Sequence, residues 1–109
     1  MSTLTKIAEL NDLLRTTMLT GRVMVTDGIA SLPAIDKAAI FDAVRSFDRF
    51  TPDNDPYGEH DFGAIDHPGV GKVFWKIDYY DRSLSYGSDD PADPSKTARV
   101  LTIMLAEEY

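Results

Sequence analysis

The chain has 109 residues, 43% of them hydrophobic and 10% aromatic, which fits one globular domain over residues 1–109 with a core of its own. It contains no cysteine, which excludes disulfides, thiolate nucleophiles and Cys-based zinc sites. The formal charge of −7 is concentrated: residues 48–67 carry six carboxylates against Arg49 alone, and residues 78–93 carry five against Arg82 alone. Such a field repels phosphate, and no basic stripe is visible, so direct nucleic-acid binding is not expected.

In chain order, Ser2 to Met18 reads as a helix, with Ile7, Leu10 and Leu14 spaced by three and four. Ser2 or Thr5 is the candidate cap, and Thr20-Gly21 the stop. Arg22 to Thr26 is a short β-branched strand, Asp27-Gly28 a turn, and Ile29-Ala30 the start of a second, very short strand. Ser31-Leu32-Pro33 opens a helix running to about Asp48, with Ile40, Ala43, Val44 and Phe47 as its apolar stripe. Phe50 to Gly58, interrupted by Pro52 and Pro56, is a loop. Glu59 to Asp66 is predicted as a strand with Gly63 as a bulge, and His67 to Gly71 as a turn.

Lys72 to Tyr80 is the clearest strand. Val73, Trp75, Ile77 and Tyr79 alternate with Phe74, Lys76, Asp78 and Tyr80, so one face is fully apolar and Trp75 should be buried. Asp81-Arg82 is a turn and Ser83 to Tyr86 a returning strand. Asp93-Pro94 is a strong helix start, predicting a final helix through Glu108 with Thr97, Val100, Leu101 and Met104 on one face. The order α-β-α-β-β-β-α describes an α+β domain: a small, mostly antiparallel sheet with helices packed on one face.

The runs Asn54-Asp55-Pro56-Tyr57-Gly58-Glu59-His60-Asp61-Phe62-Gly63, Trp75-Lys76-Ile77-Asp78-Tyr79-Tyr80-Asp81, Asp90 to Pro94 and Arg99 to Tyr109 resemble a bacterial family of small domains of unknown function. The resemblance covers nearly the whole chain. It implies a single-domain bacterial protein, often from plasmid- or phage-rich neighbourhoods, and it supplies no activity, ligand or catalytic residue.

Glu59-His60-Asp61 with Asp66-His67 has the residue types of a metal or acid–base site. Strand alternation would turn His60 away from Glu59 and Asp61, and only two histidines exist. We therefore read His60 and Asp61 as a structural hydrogen-bonded corner and expect no metal and no cofactor. No nucleophile elbow or phosphate loop is present. The aromatics outside the core face, placed among carboxylates, suit protein recognition.

The sequence reading is thus a non-enzymatic acidic module that binds a basic protein. Its candidate contact residues are Asp53, Asp55, Tyr57, Glu59, Tyr80, Asp81, Tyr86, Asp89 and Asp90. An inhibitor or decoy of a nucleic-acid-handling protein, with carboxylates standing where phosphates would sit, is its sharper form. A small hydrolase built on Glu59, His60 and Asp61, and a structural homodimer using the open sheet face, are the alternatives. The N-terminal residues lack the pattern of a secretory signal and no run approaches a membrane span, so a cytoplasmic protein is expected.

Overall fold

The computed structural model describes residues 3–109. Its elements are α1 (Thr3–Thr17), β1 (Arg22–Val25), a single helical turn α2 (Asp27–Ala30), α3 (Ala34–Arg45), β2 (Phe62–His67), β3 (Gly71–Tyr80) and β4 (Ala98–Leu105), followed by a 3-10 turn, Ala106–Glu108. The strands form one sheet in the order β1-β4-β3-β2. β2–β3 and β3–β4 are antiparallel and β1–β4 is parallel. The domain is therefore α+β with a mostly antiparallel sheet. Among the described residues no helix is long and apolar enough to cross a membrane.

The core lies where the pattern of β3 placed it. Val73, Trp75 and Ile77 pack with Leu101 and Ile103 of β4 against Leu14, Ile29, Ile40 and Val44 from the three helical elements. Trp75 is fully buried. Phe47, just past the end of α3, meets the indole edge-on at 5.4 Å between ring centroids.

Gly63 is not a bulge. It pairs in regular register with Trp75, and its missing side chain makes room for the indole. A Cβ there would lie 2.3 Å from Trp75 Nε1 and 2.9 Å from Phe47 Cζ.

The largest correction concerns the C-terminal segment, which is a strand and not a helix. Asp93 accepts hydrogen bonds from the Ser95 N–H and hydroxyl, a local turn instead of a helix cap. β4 then runs between β1 and β3, and Val100, Leu101, Ile103 and Met104 are all buried. A central strand reads as a continuous apolar run, and its i, i+3, i+4 coincidences imitate a helical stripe.

The remaining elements differ in smaller ways. Ile29-Ala30 belongs to the turn α2. The Ser83 to Tyr86 strand is replaced by a turn around Asp81, whose carboxylate accepts from the Ser83 hydroxyl and the Ser85 N–H. A lone bridge between Tyr80 and Gly87 is what remains of it. α3 stops at Arg45, short of Asp48. α1 ends with Met18 in the left-handed conformation (φ 57°), ahead of Gly21. The Ser2 cap lies outside the described residues, and Thr5 sits inside the helix.

Candidate functional site

Both acidic segments are loops at the same end of the sheet. The first, residues 46–61, leads into β2; the second, residues 81–97, joins β3 to β4. They meet along one edge of β3. Ile77 N–H donates to the Asp61 carbonyl at 2.8 Å, and Ser88 N–H donates to the Tyr79 carbonyl at 3.1 Å. Residues 77 and 79 point their backbone groups to the same side, so the loops join β3 two residues apart, about 7 Å along the strand.

A buried polar relay fastens them together. Asn11 of α1 donates through Nδ2 to the Glu59 carbonyl (2.9 Å) and to the Tyr79 hydroxyl oxygen (2.8 Å). The Tyr79 hydroxyl in turn donates to Glu59 Oε1 at 3.0 Å. Arg99 Nε donates to Asn11 Oδ1 at 2.8 Å, and the same guanidinium reaches the Pro91 carbonyl in the second loop. The Arg99 guanidinium also lies 5.2 Å from the centroid of the Tyr79 ring. Burial pushes the Tyr79 phenol pKa well above its ordinary value and lowers that of Arg99. Asn11 is fully buried and uses both ends of its amide, one toward each loop.

The first loop is held from within. Asp55 turns inward, with its side chain only 7% exposed, and its carboxylate accepts the Glu59 and His60 N–H groups at 3.1 and 3.3 Å. This explains why β2 begins at Phe62 and not Glu59: the backbone donors of residues 59 and 60 are occupied, and His60 takes a left-handed conformation, φ 56°. The His60 ring stacks flat on Phe50, centroids 3.9 Å apart. Its Nδ1 lies 2.9 and 3.0 Å from the two oxygens of Asp12. A carboxylate only accepts, so Nδ1 carries the proton. Asp12 also receives the buried Arg15, which donates to the Val44 and Arg45 carbonyls at the end of α3.

His60 thus forms a hydrogen-bonded corner, but with Asp12 and Asp55 and not with Asp61. The Asp61 pKa is raised, chiefly by burial and then by the neighbouring Glu59, Asp55 and Asp78 charges. Glu59, His60 and Asp61 take three different sets of partners. Among the described residues no group of three or more His, Asp or Glu side chains is placed to hold a metal ion. A cleft of about 310 Å³ opens between the end of α3 and β2, beside Phe47, Asp48, Arg49 and Asp66; Glu59, His60 and Asp61 are not part of its lining.

Of the predicted contact residues, Asp53, Tyr57, Tyr86 and Asp89 are exposed, the two tyrosines at 71% and 77%. Asp81 and Asp90 are partly exposed. Asp55 and Glu59 direct their carboxylates inward, to the Glu59 and His60 N–H groups and to the Tyr79 hydroxyl. Tyr80 is half-buried on the sheet face opposite Trp75, in phase with Phe74. Sequence reasoning missed Asn11, Asp12, Arg15 and Arg99. The signal was there: Asn11 and Arg15 continue the stripe Ile7, Ala8, Leu14 at helical spacing.

Residues 25–108 match the family described as protein of unknown function (DUF3768). No curated protein and no solved structure matches the chain.

Proposed function

This chain belongs to the DUF3768 family, and we propose that it is a non-enzymatic module that binds a basic protein through its paired acidic loops. One observation carries the reading: the loops join the same edge of β3 two residues apart and are tied through Asn11 and Arg99. Two negative segments far apart in the sequence therefore add their fields. Asp53 and Asp89 face solvent, and each loop offers one exposed tyrosine, a side chain that contributes large contact area at low entropy cost. The raised Asp61 pKa, due in part to neighbouring carboxylates, is a mark of that concentrated field. The fitting partner presents a positive surface of the kind that holds phosphates. An inhibitor or nucleic-acid mimic acting on a nucleic-acid-handling protein, in a bacterial mobile-element setting, is the specific form.

Association with a fluorescent oligo-arginine peptide, followed by anisotropy, tests this. Binding should weaken steeply with salt, because steering between opposite charges is screened beyond a Debye length of about 8 Å at physiological ionic strength. Replacing Asp53, Asp89 and Asp90 by Asn should weaken it further. The same number of neutralisations at Glu9, Asp27 and Asp42, which lie on helical elements, should do much less. Equal losses in the two triple variants would reduce the patch to net charge and end the proposal.

A further inference from the structure

We propose that the open face of the sheet is a homodimer interface, in which a two-fold axis crossing β3 near Ile77 sets Lys76 of each copy against Asp78 of the other. All three helical elements pack on the Trp75 face. The opposite face carries Phe74, Lys76, Asp78 and Tyr80 of β3, Val100, Thr102 and Met104 of β4, Arg22 and Met24 of β1, and Phe62 and Ala64 of β2. Among the described residues no helix lies over it. Tyr109 leans on Phe62 and Phe74, at 6.0 and 5.6 Å between centroids, while remaining 76% exposed itself. Met24 is 56% exposed.

Charge selects the occupant. The chain carries −7, yet this face holds Arg22, Lys72 and Lys76 against Asp66 and Asp78. It is close to neutral, and self-approach there meets no net repulsion. The arrangement is also self-complementary. Lys76 Nζ lies 2.9 Å from Asp78 Oδ2, each side chain more than a third exposed, and the two positions are neighbours along one face of β3.

An axis perpendicular to the strands exchanges these positions, so that two reciprocal Lys76–Asp78 pairs form across the interface. The same operation lays Phe74 of one copy over Tyr80 of the other. It also sends the loops that follow β3 in opposite directions: each starts at Asp81, four residues past the axis, so the two starts lie roughly 25 Å apart along the strands, where their repulsion is screened. Any axis that kept the strands parallel would bring those loops together. This inference is independent of the acidic-loop proposal and adds that the dimer displays two such surfaces.

Sedimentation velocity over a concentration series tests it. The wild-type chain should show a reversible dimer. Lys76→Glu and Asp78→Lys, each tested alone, should raise the dimer dissociation constant roughly 10-fold or more, because each sets like charges opposite one another. Circular dichroism melts should show both variants folded, since an exposed pair contributes little to stability. Mixing the two single variants should restore a dimer, now between unlike chains, because one face then carries only negative and the other only positive side chains at these two positions. A wild-type monomer throughout the series, a dimer indifferent to both substitutions, or a mixture that stays monomeric would each overturn the proposal.

Discussion

The two acidic loops lie side by side and are both rich in Asp, yet they hold their shape in different ways. In the loop before β2, carboxylates turn inward. Asp55, its side chain almost buried, accepts two backbone N–H groups of its own loop, Glu59 accepts from the Tyr79 hydroxyl twenty residues away, and Asp12 of α1 receives His60. In the loop after β3, carboxylates bond only within their own turns: Asp81 to Ser83 and Ser85, Asp93 to Ser95. Those local bonds lower the pKa of both Asp81 and Asp93. Charge count alone therefore misjudges which carboxylates a partner can reach. The first loop uses part of its charge to hold itself in place, whereas the second keeps its charge close to solvent.

Four experiments would break or sharpen this contrast. The largest effect should come from the frame both loops share. Trp75→Ala should cost about 3–5 kcal/mol, a large part of the about 5–15 kcal/mol that holds a domain together, and urea unfolding should record it. Asn11→Ala comes next. It strands Arg99 Nε and removes the donor to Glu59 and Tyr79, at about 2–3 kcal/mol. Hydrogen exchange should then rise in both loops at once; a rise in one only would show that they are not tied through Asn11.

Asp55→Ala should cost about 1–3 kcal/mol, because it leaves two N–H groups without an acceptor. Asp81→Ala, on the surface, should stay within about 0.5 kcal/mol. Equal costs would erase the distinction between the loops.

The smallest effect concerns Asp61. Its folded pKa is raised, so the folded state holds the proton more tightly than the unfolded state does. Stability from this site should increase as pH falls through the raised value and level off below the unfolded one. Asp61→Asn should therefore raise the melting temperature at neutral pH, with the gain vanishing in acid. A gain that persists in acid would refute the charge-crowding account.

For β3, the sequence by itself was sufficient. Period-two alternation over Val73 to Tyr80 has one solution when a single face is buried, so strand, phase and the burial of Trp75 could all be read directly. α1 and β1 were legible for similar reasons of spacing and β-branching. The acidity of the two segments is likewise a property of composition.

What β4 would become was not legible. An apolar run such as Val100 to Met104 fits a helix or a central strand equally well, and only the presence of β1 and β3 on either side decides between them. Nor could the sequence show that the two loops are neighbours. That depends on Asn11 and Arg99, eighty-eight positions apart, and no local rule pairs them. Tertiary structure alone turned Asp55 inward and left Asp53 and Asp89 outside. A carboxylate faces solvent unless buried donors converge on it, and which donors converge is settled only when the chain has folded.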